Sequence, residues 1–204
     1  MIIGNHINPL PKIVAICGSL RKNSYTRMAL KIALKGAAGL GADVKLIELR
    51  DYELVFAGSV DEQNYPEDVF KLRSEVKQAQ GIILGSPEYH GSLSGVLKNM
   101  LDLISYKEFE GKIVGLVGVA GGALGAANTL NTMCTISRNL QAWVLPQQVS
   151  IPESYKAFDE HGNIRNKDIE NRLLSIGRQI VKFTSHHQNI SMPLTNQIVE
   201  KIAV

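Results

Sequence analysis

Apolar and polar positions follow two rhythms along this chain: short runs rich in Val and Ile, and longer stretches with apolar residues three or four apart. The short runs fall at 12–17 (KIVAIC), 43–48 (DVKLIE), 81–85 (GIILG), 112–118 (KIVGLVG) and 143–149 (WVLPQQV). Val and Ile dominate most of them, as in strands covered on both faces. The longer stretches lie at 25–38, 66–78, 94–105, 124–140 and 166–187. In the first, Met28, Ala29, Ile32, Ala33 and Ala37 recur at helical spacing behind Ser24, a residue suited to cap a helix. In the second, Pro66 fits the first turn ahead of the stripe Val69, Leu72 and Val76. The last carries Ile169, Leu173, Ile176, Ile180 and Phe183 on one side. Five strands alternating with five helices predict a doubly wound α/β domain with parallel strands and helices on both faces.

The length of 204 residues fits one domain over 1–204, with a core at about 12–187 and a C-terminal extension at 188–204. The connection at 50–65 is long for a compact domain, and the segment at 151–165 is polar and irregular. Hydrophobic residues make up 45% and charged residues 20%, an ordinary globular composition. The net charge of +3 is spread along the chain without a basic block, so nucleic acid is not an expected partner. No apolar run approaches the roughly 20 residues that span a bilayer, and the start MIIGNHINPLPK lacks the features of a signal peptide. Cys17 and Cys134 sit far apart in apolar surroundings and read as reduced, buried thiols, with no spacing that implies a metal site. The expected location is the cytoplasm. Trp143 reads as a core or interface residue, and the adjacent His186 and His187 as solvated.

In a five-stranded sheet of order 2-1-3-4-5, the winding reverses between the first and third strands, and ligands bind beyond the carboxyl ends there. The two loops at that point are 18–24 and 86–93. The first, in GSLRKNSYTR, enters a helix whose leading N–H groups are free and whose dipole favours an anion. Ser19, Ser24 and Thr26 add hydroxyls and Arg21 a charged fork suited to phosphate oxygens. Neither a Walker loop nor a G-x-G-x-x-G turn is present, so a lone phosphate fits better than a triphosphate or a dinucleotide. A capped helix with a solvated arginine is the competing reading of the same loop. The second loop, in SPEYHGSLSGVLKN, offers a backbone stiffened by Pro87, flat faces on Tyr89 and His90, and close approach at Gly91, features suited to a planar heterocycle. Ser94 or Ser92 can cap the following helix. A third stretch, GVAGGALGAA at 118–127, is either a ligand loop or a tight strand-to-helix turn.

Gly18-Ser19-Leu20-Arg21 with Ser24 and Arg27, and Ser86-Pro87-Glu88-Tyr89 followed by Gly95, Leu97, Lys98, Asn99 and Asp102, resemble two motifs of one family. That family is the NADPH-dependent FMN reductases of the flavodoxin-like superfamily, which also includes quinone, chromate and azo-dye reductases. The resemblance covers roughly residues 12–180 and implies a flavodoxin-like three-layer sandwich with a five-stranded parallel sheet in order 2-1-3-4-5. It implies that Ser19, Arg21, Ser24, Tyr25 and Thr26 surround the FMN phosphate. Pro87, Glu88, Tyr89, His90 and Gly91 would line the isoalloxazine, and Gly121 and Gly122 would approach the flavin through their backbone. Family members often carry asparagine where Thr26 and His90 stand here.

The implied activity takes a hydride from NADPH or NADH onto bound FMN and passes it to a quinone, flavin, azo compound or metal-ion acceptor. It is ping-pong, with no side chain as obligatory acid or base. A flavodoxin-like electron carrier and a flavin-binding sensor are the alternatives. Carriers tend to be strongly acidic, and this chain's slight positive charge favours the oxidoreductase. The family forms dimers or tetramers. Leu101, Leu103, Ile104 and Tyr106 give the helix at 94–105 apolar surface beyond one buried face, so a homodimer or homotetramer is expected.

Overall fold

The run KIVAIC forms the central strand β1 (Lys12–Cys17) in the computed structural model of the protein, which describes residues 10–189. Its side chains divide by the two-residue period of a strand: Ile13, Ala15 and Cys17 enter one core, Val14 and Ile16 the other. The first core is closed by α1 (Tyr25–Ala38) and by α7 (Lys167–Asn189). β1 pairs in parallel with β2 (Asp43–Glu48) on one side. On its other side it pairs with β3 (Gly81–Tyr89), in register Ile13 to Gly81 and Cys17 to Gly85. The second core is covered by α2 (Glu67–Gln78) and by α3 (Gly95–Leu103), which follows the two-residue strand β4 (Ser92–Leu93). The four-residue helix α4 (Tyr106–Phe109) then leads into β5 (Ile113–Val119). α5 (Ala127–Asn139) crosses to the edge strand β6 (Trp143–Ile151), and the short α6 (Ser154–Ala157) precedes α7. The sheet runs β2-β1-β3-β5-β6 with β4 hairpinned onto the end of β3. Without that two-residue strand, the order is the predicted 2-1-3-4-5.

α1 occupies the predicted span, and Ser24 is its cap, with Oγ accepting from the Arg27 N–H at 3.1 Å. Its buried stripe also includes Leu30 and Leu34. α1 and α7 cross at two glycines. A methyl on Gly36 would run into the Leu174 carbonyl, and one on Gly177 into the Ala33 carbonyl. The two backbones therefore touch directly, and this contact seats the helix that carries the first loop.

Several expectations are corrected. The third strand continues four residues past 85 to Tyr89 and turns back as a hairpin, because Ser86 and Pro87 extend the ladder against Gly118 and Val119. Pro66 stands before α2 as its cap position, not inside its first turn. The helix expected over 94–105 stops at Leu103, and Ser105 opens α4 in a capping box with Glu108. Leu101 and Leu103 on α3 and Ile104 just after it are buried in the chain's own core, which removes the spare apolar surface they seemed to offer; only Tyr106 stays outside. Leu124 is 99% exposed, since the left-handed Gly125 (φ +73°) delays α5 to Ala127. On α7 the inward stripe takes Thr184 instead of Phe183, which is 49% exposed. Trp143, 64% exposed on the edge strand, is not a core residue. Cys17 is fully buried, Cys134 is half-buried, and both are free thiols. Among the described residues no helix is long and apolar enough to cross a membrane, and no cluster of His, Cys, Asp or Glu could hold a metal. The extension expected at 188–204 lies outside the described residues from 190 onward.

Candidate functional site

The two predicted loops leave the sheet side by side because β1 and β3 are neighbours. The Gly18 N–H donates to the Gly85 carbonyl at 2.8 Å, continuing the ladder one step beyond β1. A Cβ at Gly18 would stand 2.8 Å from the Leu97 Cβ and 3.0 Å from that carbonyl, so only glycine passes between β3 and α3. Two buried hydroxyls then tie the loops together. Ser94 Oγ donates to the Gly18 carbonyl at 2.6 Å and accepts from the Leu97 N–H at 3.2 Å, capping α3. Ser86 Oγ accepts from the Ser94 N–H at 2.9 Å and donates to the Pro87 carbonyl at 2.8 Å. Sequence reasoning offered Ser94 only as a cap and gave Ser86 no role in this link; both roles depend on a pairing that the sequence does not display.

A cavity of about 250 Å³ opens between the loops. Ser19, Arg21, Ser24, Tyr25, Thr26, Pro87, Glu88, Tyr89 and Gly121, all predicted, line it, and Asn23, Val119 and Ser154 join them. The hydroxyl residues Ser19, Ser24 and Thr26 are almost wholly buried. The N–H groups of Lys22, Asn23 and Ser24 find no acceptor among the described residues, and those of Tyr25 and Thr26 begin α1 without one. The Arg21 guanidinium lies 5.8 Å from the centre of the Tyr89 ring. At the base, burial pushes the Cys17 thiol pKa up, so the thiol stays protonated beneath the loop, 3.8 Å from the Ser19 carbonyl. Free backbone donors, hydroxyls, a helix N-terminus and a guanidinium thus converge on one small space. Donors of this kind suit a single phosphate group.

Glu88 borders the cavity, yet its carboxylate is turned to α5, where Oε2 accepts from the Thr129 N–H at 3.0 Å. Ala126, at the cap position of α5, has no side chain for that task, so Glu88 supplies the missing cap from another element. His90 and Gly91 are not in the cavity wall. They form the two-residue tip of the β3–β4 hairpin, both left-handed, at φ +52° and +76°. Such a turn favours Asn-Gly, and histidine is among the few other residues that tolerate the first position. The backbone conformation therefore accounts for histidine standing where the resembling family often has asparagine. Gly122 also lies outside the wall; its carbonyl accepts from the Glu153 and Gly125 N–H groups.

A larger cavity of about 770 Å³ lies on the far side of Arg21 and Tyr89, which border both spaces. It is walled by Leu20, Leu49, Tyr52, Leu54, Phe56 and Val96, so the connection at 50–65 closes over α3 through apolar and aromatic side chains. Asn99 fastens that connection, donating to the Val55 carbonyl at 2.9 Å. The larger space has none of the hydroxyls of Ser19, Ser24 and Thr26 in its wall.

A parallel sheet in this order with helices on both faces and a polar cavity at its switch point is a flavodoxin-like fold. The match is closer than the fold: residues 11–156 fit the model of the NADPH-dependent FMN reductases, and the chain belongs to that family. It is 39% identical over 138 residues to an NADPH azoreductase of Bacillus sp. (strain OY1-2), covering 68% of this chain and 75% of that protein. It is 28% identical over 196 residues to the NADPH-dependent FMN reductase ArsH of Rhizobium meliloti (strain 1021), covering 94% and 79%. Among solved structures it resembles FerB, a flavoenzyme NAD(P)H:(acceptor) oxidoreductase from Paracoccus denitrificans. The TM-score there is 0.72 at 20% identity, over 87% of this chain and 99% of that one. The chain is thus an oxidoreductase that uses FMN as cofactor and NAD(P)H as co-substrate.

Proposed function

We propose that the chain passes reducing equivalents from NADPH or NADH through FMN to a quinone, a flavin, an azo compound or an oxidised metal ion. The observation that carries this reading is the cavity at the switch point, where unpartnered N–H groups, Ser19, Ser24, Thr26 and Arg21 face one space beside the stiff edge Pro87 to Tyr89. Bound FMN supplies the hydride chemistry there. Ser19, Ser24, Thr26 and the loop N–H groups bind the phosphate, and Arg21 neutralises its charge. Pro87 and Tyr89 hold the ring edge, with Gly121 leaving room for it. Glu88 keeps its carboxylate on α5 and transfers no proton; it orients the loop. His90, Gly91 and Gly122 shape the backbone around the site. The azo class of acceptor is supported by the relative named an azoreductase.

The chain works as one FMN-binding domain in the cytoplasm and assembles as a homodimer or homotetramer, in the manner of the family it belongs to. Donor and acceptor occupy the same open face in turn, so initial rates measured against NADPH at several fixed acceptor concentrations give parallel double-reciprocal lines. Lines that intersect to the left of the axis would show both substrates bound at once and overturn the shared face.

A further inference from the structure

We propose that Arg27, fixed by Glu48, is the positioning residue of the phosphate loop: it holds two loop peptides so that their N–H bonds face the cavity, and it does not itself touch the cofactor. The inference rests on FMN phosphate as the ligand of that loop.

The Arg27 guanidinium makes three contacts that share one fork. Nε donates to Glu48 Oε2 at 2.6 Å, Nη1 to the Lys22 carbonyl at 2.6 Å and Nη2 to the Arg21 carbonyl at 3.1 Å. The side chains of Arg27 and Glu48 are only 14% and 22% exposed. Glu48 stands at the end of β2 in register with Cys17, the last residue of β1, so the fork is anchored to the sheet and not to another loop. Arg27 does not line the phosphate cavity. It borders a separate depression with Lys22, Met28 and Lys31 on the outer side of α1.

Peptide planarity turns this grip into a function. In a trans peptide the C=O of one residue and the N–H of the next point in opposite directions. Drawing the Arg21 and Lys22 carbonyls outward to Arg27 therefore turns the Lys22 and Asn23 N–H bonds the other way. Those two N–H groups have no acceptor among the described residues, and Asn23 forms part of the cavity wall. Donors fixed before the ligand arrives need no ordering when it binds. Glu48 neutralises Arg27, which keeps the guanidinium on the carbonyls and leaves Arg21 as the cation for the phosphate. A lysine cannot replace this fork, because one ammonium on a flexible stem does not span a carboxylate and two carbonyls in a fixed plane.

The test uses the full-length chain stripped of flavin and titrated in parallel with FMN and riboflavin, following the flavin fluorescence. The wild type prefers FMN. Arg27→Met lowers FMN affinity by about tenfold or more, as expected for two lost charge-assisted contacts, and leaves riboflavin affinity unchanged. Arg27→Lys behaves like Arg27→Met, and the isosteric Glu48→Gln gives a smaller loss, again confined to FMN. If Arg27→Met and Glu48→Gln weaken both flavins by the same factor, the pair acts through general packing and the proposal fails. Full FMN affinity in Arg27→Met, or full rescue by lysine, overturns it as well. A wild type that does not distinguish FMN from riboflavin removes the phosphate reading on which the inference rests, a result separable from the others by the unmutated chain alone.

Discussion

Arg21→Ala weakens FMN binding by about 1.5–3 kcal/mol, the range of a hydrogen bond to a charged group. That corresponds to roughly a 10- to 150-fold rise in Kd. The size follows from what Arg21 faces. Arg27, six residues on, spends its charge on Glu48, whereas Arg21 lies over the Tyr89 ring at the cavity wall and pairs with no carboxylate among the described residues. Its contact with the ring fixes the guanidinium before a ligand arrives, so little rotamer freedom is lost on binding. Arg21→Lys keeps part of the affinity, because a phosphate accepts a point charge as well as a fork. Arg21 in the loop and Arg27 on α1 thus respond differently to lysine, which separates a residue that meets the phosphate from one that positions the loop. Isothermal titration with FMN reads both, and an unchanged Kd in Arg21→Ala removes Arg21 from the site.

Gly177→Ala destabilises the fold by about 3 kcal/mol or more, at or above the top of the usual range for overpacking. Two effects oppose each other at this position. Gly177 lies inside the 23-residue helix α7. By propensity alone, alanine in a helix interior is better than glycine by about 1 kcal/mol. Packing reverses the sign: the new methyl would collide with the Ala33 carbonyl and stand 2.7 Å from the Ala37 nitrogen. Both are main-chain atoms of α1, so no rotamer change relieves the clash and one helix must move. α1 carries Ser24 and Thr26 at its N-terminus, so the same variant loses FMN affinity. The midpoint of urea unfolding measures the first effect; a variant with the wild-type midpoint and slope would show that the two helices do not touch as described.

The fold was legible because its strands are short, rich in Val and Ile, and separated by regular helices. Ser24 announced α1, and the apolar stripe Val69, Leu72 and Val76 is the buried face of α2. The misreadings have local physical causes. The hairpin at His90-Gly91 was hidden because histidine occupies a left-handed position where asparagine is the usual signal. Leu101, Leu103 and Ile104 looked like spare surface on a continuous helix, whereas α3 ends at Leu103 and other elements of the chain cover all three. Phe183 lost its inward position to Thr184 because the buried face of α7 is centred toward Gly177 and Val181, to one side of the stripe read from Ile169 to Ile180.

At the site, the cavity-lining residues that lie close in sequence, Ser19, Arg21, Ser24, Tyr25 and Thr26, were visible, since they sit at a helix N-terminus. The supports were not. Arg27 meets Glu48 across 21 residues, Glu88 meets Thr129 across 41 and Ser94 meets Gly18 across 76. Each depends on sheet order and register, and none repeats at a spacing that a sequence can show.

The central claim is that this chain holds FMN in a form that NAD(P)H reduces directly. Mixing the purified holoprotein with NADPH under strict anaerobiosis, while recording the visible absorbance of the bound flavin, tests it most directly. The flavin band is expected to bleach on mixing and to return when a quinone or azo dye is added. A flavin band that persists with excess NADPH and with excess NADH would contradict it.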